Sequence, residues 1–118
     1  MYWENEIEVM PRENLLELQL VNLKESVKKA SVSPFYKSLF QKIGFEPDSI
    51  NSLDDLTKIP LTTKDDLRES WPYGFLSVSK DELIRMHSSS GTTGRATVIF
   101  HTAHDIDEWA NIVARSMY

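Results

Sequence analysis

The sequence predicts a helix-rich α/β segment that contains one short strand–loop–strand unit. Leucine and aromatic side chains recur at helical spacing in the first part of the chain. Two short runs rich in β-branched and aromatic residues then enclose a loop of serine, threonine and glycine, and another helical pattern follows. We therefore expect three parts: helices within residues 1–80, a strand–loop–strand unit over 83–101 and a helix over 103–118.

Composition limits the class of protein. Of the 118 residues, 41% are apolar, which is too many for a disordered chain. The formal net charge is −5 without a basic stripe, which argues against nucleic acids and anionic membranes as partners. The absence of cysteine excludes disulfides and thiolate metal sites and fits a reducing compartment. No stretch has the pattern of a secretory leader or a membrane span, so we expect a cytoplasmic protein.

The first long helix is predicted over Arg12–Ala30. Pro11 precedes it as a start signal, and Lys28 and Lys29 suit the negative end of the helix dipole. Its apolar side chains recur at helical spacing: Leu16, Leu20, Leu23 and Val27.

A second helix is predicted from Pro34, because Ser33 can cap it and proline is favoured at the first helical position. Gly44 is a suitable residue to end it. We expect this helix to bury three side chains: Phe35, Leu39 and Phe40.

A polar connection, PDSINSLDDLTKIPLTT, leads to a short helix over Thr63–Glu69. Thr62 with Asp65 resembles a capping box, and the aspartate pairs of the region are best explained as solvated caps. The following WPYG breaks the helix and forms a turn. Its aromatic side chains could line a substrate pocket, but a turn anchored on the core is the simpler interpretation: Trp71, Tyr73 and Phe75.

The last helix is predicted to start after Thr102, which can cap it, with Asp105 and Asp107 near its positive end. One face is apolar, and we interpret Trp109 as a core residue: Ile106, Trp109, Ala110, Val113 and Met117. The pattern continues to Tyr118 without a terminating glycine or proline. We therefore expect a fragment whose exposed apolar face promotes self-association, or poor order from about Asp105 onward.

Three histidines lie near the Ser/Thr/Gly loop: His87 and His101 flank it on the two strands, and His104 follows. No carboxylate cluster or ligand spacing accompanies them, so we do not predict a zinc site.

The ten residues from Ser88 to Thr97, SSSGTTGRAT, allow two interpretations. One is a hairpin turn with a polar tip, which composition alone favours. The other is an anion site, because Gly91 and Gly94 can turn successive backbone N–H groups inward and Arg95 adds a forked cation. Six hydroxyls exceed what a turn requires. The loop is not a nucleotide-binding loop of the strand-to-helix type, since no lysine follows the second glycine and a strand comes next.

Two stretches, IPLTTKDDLRESWPYG and RMHSSSGTTGRATVIFHTAHDIDEWANIVARSMY, resemble the N-terminal region of phenylacetate–coenzyme A ligases, within the adenylate-forming superfamily. The resemblance extends from Tyr2 to Tyr118. It implies that the loop closes on the phosphates of ATP. Six residues agree with the family loop: Ser89, Ser90, Gly91, Thr92, Thr93 and Gly94. Arg95 stands where the family usually has lysine and keeps the charge, and Ala96 stands where it usually has proline, which adds backbone freedom and an N–H.

The resemblance further implies that residues 1–118 are the N-terminal part of the large AMP-binding domain of an α/β enzyme. That enzyme would join phenylacetate to coenzyme A, using ATP and Mg²⁺ and releasing AMP and pyrophosphate. Its partners would be small-molecule substrates. The loop would position phosphates, so this segment would hold neither a catalytic residue nor a metal ligand. Two alternatives remain: a non-catalytic interaction module of the same fold, and an adenylating enzyme for another carboxylate.

Overall fold

The computed structural model describes residues 2–90 and 96–118. The described part contains helices α1 (Asn5–Glu8), α2 (Arg12–Ala30), α3 (Pro34–Ile43), α4 (Lys64–Glu69) and α5 (Ala103–Met117), and strands β1 (Leu83–Ser88) and β2 (Val98–Thr102). Short 3₁₀ helices lie at Pro47–Ser49, Leu53–Lys58 and Lys80–Glu82. The strands are antiparallel neighbours in one two-stranded sheet. The fold is thus helix-rich with one hairpin, as the sequence predicts.

Helices α2 and α3 begin and end where their sequence signals predict. The Ser33 hydroxyl accepts a hydrogen bond from the Tyr36 N–H and donates one to the Ala30 carbonyl, so this fully buried side chain joins the two helices. Gly44 ends α3 with φ at +65°, in the left-handed region that favours glycine.

The core lies where α2 and α3 meet the connection that follows them. Its buried side chains are Val27, Phe40, Phe45 and Ile50. Phe40 is buried as predicted, whereas Phe35 and Leu39 are only half-buried. The sequence predicts a polar connection, but the connection supplies the buried side chain of Ile50, which is 1% exposed. Ile50 follows the 3₁₀ helix Pro47–Ser49, which lies against α2.

The capping box of α4 lies one residue later than predicted. The Thr63 hydroxyl accepts from the Asp66 N–H at 3.2 Å, and an Asp66 oxygen accepts from the Thr63 N–H at 2.6 Å. Two threonines before two aspartates fit the motif in either of two registers. Because the helix begins at Lys64, the second register is used and Thr62–Asp65 is not the box.

The turn after α4 is held against α3. The Phe35 N–H donates to the Gly74 carbonyl at 2.8 Å, and the Phe35 and Phe75 rings stack with centroids 4.1 Å apart. Phe75 therefore anchors the turn as expected. Trp71 does not, since 53% of it is exposed.

The hairpin and the last helix form the C-terminal part. Cross-strand pairs include His87 with Ile99 and Ser88 with Val98, and the last pair directly adjoins the two ends of the Ser/Thr/Gly segment in the sequence. Strand β2 leads directly into α5 through a capping box between Thr102 and Asp105, which confirms the predicted cap.

Helix α1 was not predicted from the sequence, and it lies against α5. The Trp3 indole N–H donates to the Asn111 side-chain oxygen at 2.7 Å, and the Asn111 amide donates to Glu4 at 3.2 Å. The Arg115 guanidinium lies 3.4 Å from a Glu8 oxygen. The last helix therefore has a partner that its sequence pattern does not predict. Among the described residues, no helix combines the length and apolarity needed to cross a membrane.

Candidate anion-binding site

Two hydrogen bonds between Ser89 and Thr97 close the base of the hairpin loop. The Ser89 N–H donates to the Thr97 carbonyl at 2.9 Å, and the Thr97 N–H donates to the Ser89 hydroxyl oxygen, also at 2.9 Å. The first is a backbone bond directly beyond the last strand pair, Ser88 with Val98, and the second is made to the Ser89 side chain. They hold the two ends of the loop at a defined separation.

The first two residues of the predicted phosphate loop are described. The Ser89 oxygen accepts from Thr97, so its own O–H hydrogen can still be donated to an anion. Ser90 is exposed beside it. The remaining predicted loop residues lie outside the described residues: Gly91, Thr92, Thr93, Gly94 and Arg95. At the other end of the loop, the Thr97 hydroxyl oxygen is buried and has no hydrogen-bond partner within residues 2–90 and 96–118.

One face of the hairpin carries an aromatic group toward the turn after α4. The Phe100 ring stacks on Trp71 with centroids 6.0 Å apart and on Tyr73 with centroids 5.5 Å apart. The Lys80 ammonium lies 4.0 Å from the centre of the Tyr73 ring. A cleft of about 110 Å³ separates the turn from β2, and its lining includes Trp71, Phe75, Val98 and Phe100.

The other face of the hairpin carries two histidines toward α5. The His87 and His101 rings lie 4.6 Å apart, and both contact the Trp109 ring, at 5.2 Å and 6.0 Å. Trp109 is 46% exposed, so it covers the histidine pair and is not the core residue that its helical spacing indicated.

Sequence reasoning missed this grouping. The period-two alternation along β2, with His87 opposite Ile99, could have indicated it. The described residues include no cluster of three or more histidine and carboxylate groups able to hold a metal ion.

Three aspartates have lowered pKa values, and each caps a helix. The Lys58 ammonium and the backbone N–H groups of Asn51 and Ser52 hold the pKa of Asp55 well below its usual range. The Thr63 hydroxyl and N–H lower the pKa of Asp66. The backbone N–H of Thr102 lowers the pKa of Asp105. Carboxylates stabilised in this way stay ionised at neutral pH and are poor proton donors, so they act as caps and do not suit acid catalysis.

Known proteins similar to this chain are ligases. It is 47% identical to the phenylacetate–coenzyme A ligase of Pseudomonas putida over 100 residues, which cover 84% of the chain and 23% of the relative. It is 42% identical to the ligase of the same name from Thermus thermophilus over 118 residues, which cover 99% of the chain and 26% of the relative. The chain thus spans about a quarter of the length of these relatives. No protein-family model matches it.

Solved structures similar to this chain are also CoA ligases. A crystal structure of 2-hydroxyisobutyryl-CoA ligase in complex with 2-HIB-AMP and CoA superposes with a TM-score of 0.87 at 34% identity, covering 98% of this chain and 26% of that one. A crystal structure of the same ligase with 2-HIB-AMP in the postadenylation state superposes with a TM-score of 0.87 at 32% identity. The match covers 98% of this chain and 25% of that one. The described fold therefore matches about a quarter of an adenylate-forming ligase.

Proposed function

Because this chain is homologous to part of the phenylacetate–coenzyme A ligases, we propose that it carries the phosphate loop of an AMP-forming acid–thiol ligase. The observation that carries the proposal is 42% identity maintained over 99% of the chain. The whole reaction would convert phenylacetate, ATP and coenzyme A into phenylacetyl-CoA, AMP and pyrophosphate. Residues 1–118 would be the N-terminal part of its large AMP-binding domain.

The proposed reaction has two halves. The carboxylate attacks the α-phosphorus of ATP, the bond to the β-phosphate oxygen breaks, and pyrophosphate leaves. The thiol of coenzyme A then attacks the acyl carbon and expels AMP. Negative charge accumulates on the departing phosphates in the first half, so a site with fixed N–H and O–H donors lowers the barrier.

The loop suits that task in its residue types and in its attachment. Ser89 can donate its O–H while accepting from Thr97, so the donor is held by the hairpin base. Beyond it, Ser90, Thr92 and Thr93 would add hydroxyl donors, Gly91 and Gly94 backbone N–H groups, and Arg95 a cation. The described residues supply no cluster of carboxylates for Mg²⁺. We therefore propose that Mg²⁺ would enter the site as the partner of ATP.

A chimera tests the proposal. This segment would replace the matching quarter of the Thermus thermophilus ligase, and pyrophosphate exchange into ATP would be measured with phenylacetate, followed by AMP release with coenzyme A. We expect both activities in the chimera and neither in the isolated 118-residue chain, since alignment of the carboxylate needs the rest of the enzyme. A folded chimera that is inactive with every aryl acid tried would contradict the proposal and favour a non-catalytic module.

A ligase for a different carboxylate is the second candidate. It is supported by the match to 2-hydroxyisobutyryl-CoA ligase, at a TM-score of 0.87 and 34% identity. The two candidates share the phosphate loop and differ in the acid. Exchange measured with the natural full-length protein and a panel of aryl and short hydroxy acids separates them, because only the preferred acid should give rapid exchange.

A further inference from the structure

Arg68 of α4 lies at the exit of the hairpin loop. A cleft of about 210 Å³ separates α4 from the start of β2, and its lining includes Arg68, Ala96 and Val98. Ala96 is the residue directly after Arg95 in the sequence. Arg68 therefore shares a cleft with a residue at the exit of the loop, although it belongs to an element that the loop motif does not include.

The charge of Arg68 is only partly compensated by its neighbours. One terminal nitrogen donates to an Asp65 oxygen at 3.0 Å, but the Asp65 side chain is 77% exposed, whereas that of Arg68 is 22% exposed. An ion pair with a hydrated carboxylate contributes little. The Arg68 Nε is buried and has no hydrogen-bond partner in the described parts of the chain. Buried N–H groups normally donate a hydrogen bond, so the Arg68 Nε–H lacks the acceptor that such a group usually has.

We propose that Arg68 is an additional phosphate-binding residue, which contacts the polyphosphate of ATP or free pyrophosphate from the α4 side of the loop. The inference rests on the proposed function. A planar guanidinium can donate two parallel hydrogen bonds to a phosphate. The other described walls of the cleft are the side chains of Leu67, Trp71, Ala96 and Val98, and such apolar surroundings strengthen a charge interaction. The chain carries a net charge of −5, so a local cation is needed to attract a phosphate.

Arg68→Gln in the chimera tests this role through pyrophosphate exchange. We expect the KM values for ATP and pyrophosphate to rise about tenfold, because the variant loses one charge-assisted hydrogen bond to phosphate. The KM for the acid should stay within about twofold of its original value. Arg68→Lys should raise the KM values for ATP and pyrophosphate less than Arg68→Gln does, because lysine keeps the positive charge but lacks the two parallel donors of the guanidinium. Arg85→Gln removes the same charge from an exposed position on β1 and should leave all three KM values unchanged.

Asp65→Asn separates phosphate binding from a structural ion pair. If Arg68 only stabilises α4 through Asp65, then Asp65→Asn and Arg68→Gln should have the same effect. On our proposal, Asp65→Asn leaves the KM for ATP unchanged or lowers it. Equal increases for the two variants, or an unchanged KM for ATP in Arg68→Gln, would overturn the assignment.

Calorimetric titration of the 118-residue chain with inorganic pyrophosphate gives a second measurement. Affinity should fall about tenfold in Arg68→Gln at unchanged circular dichroism, and it should fall less steeply with salt than in the unsubstituted chain. If the unsubstituted chimera does not catalyse exchange, the proposed function fails. The titration then decides the role of Arg68: equal affinity with and without the substitution, or no binding at all, counts against it.

Discussion

At the scale of single residues, the loop glycines provide the sharpest test of the predicted anion site. Gly91→Val or Gly94→Val should strongly reduce pyrophosphate exchange in the chimera, because valine disfavours the positive φ angles that a backbone nest requires. Removal of the Arg95 charge should cost less than either valine. Ser90→Ala, which keeps the backbone, serves as the mild control. Unreduced exchange in both valine variants would rule out a backbone nest.

Gly74 should matter for stability, in contrast to Gly44. A Cβ at Gly74 would lie 2.3 Å from the Ser70 Cβ and 2.5 Å from its carbonyl oxygen, so Gly74→Ala forces the turn away from the end of α4. We expect a loss of about 2–3 kcal/mol in the free energy of unfolding, as for other overpacked sites.

Gly44→Ala is the matched control for Gly74. No atom lies within 4 Å of a Cβ there, and only the positive φ of +65° is strained. Its cost should be about 1 kcal/mol. Urea denaturation of both variants makes the comparison, and an equal or smaller effect at Gly74 would contradict the packing argument.

At the scale of secondary-structure elements, the contact between α1 and α5 is the feature with the clearest consequence. Asn111 accepts from Trp3 at 2.7 Å and donates to Glu4 at 3.2 Å, and Arg115 pairs with Glu8 at 3.4 Å. Asn111→Ala should lower the free energy of unfolding by about 1 kcal/mol and speed amide exchange in α5.

The exchange pattern distinguishes this contact from a general loss of stability. Asn111→Ala should leave protection around Val27 and Phe40 in the α2–α3 core unchanged, because those residues belong to a separate cluster. Asp107→Asn provides a control on the same helix. Equal acceleration of exchange in both regions would indicate that α1 and α5 do not form a local unit.

The capping boxes predict an acid-sensitive α5. The Thr102 N–H lowers the pKa of Asp105 in the folded protein, so the stabilisation is present above the unfolded value of about 3.9 and is lost as pH falls through the lower folded value. Helix content should therefore decrease below about pH 4. Asp105→Asn should reduce that dependence, as followed by circular dichroism between neutral and acid pH. An identical acid transition in the variant would assign the effect to the other caps.

At the scale of the whole molecule, apolar surface remains uncovered around the hairpin and α5. Trp71, which stacks on Phe100 of the hairpin, is 53% exposed, and in α5 Ile112 is 61% and Met117 81% exposed. Such surface usually finds a partner, so we expect the isolated 118-residue chain to self-associate as concentration rises. Sedimentation velocity over a range of concentrations measures this. Trp71→Ser combined with Ile112→Ser should shift the chain toward monomer, and a monomer at every concentration without these changes would contradict the prediction.

Local signals in the sequence were sufficient to predict where most of the secondary-structure elements begin and end. Ser33, Pro34 and Gly44 mark the ends of α3 because caps depend on residues within one turn of each other. Thr102 and Asp105 mark the start of α5 for the same reason. The Thr62–Asp65 box was wrong because two registers were locally equivalent, and only the actual start of α4 distinguishes them.

The family and the residue types of the loop could be inferred from the chain alone, because a run of hydroxyls, glycines and one cation is visible in the order of the residues. The burial of side chains and the contacts between residues distant in sequence could not be inferred from the chain alone. Ile50 is buried and Trp109 is half exposed, although their local patterns indicated the reverse. Trp3 meets Asn111 across 108 positions, and Arg68 of α4 shares a cleft with Ala96 at the loop exit. Such contacts depend on how complete elements pack against one another, whereas caps and turns depend only on neighbours in sequence.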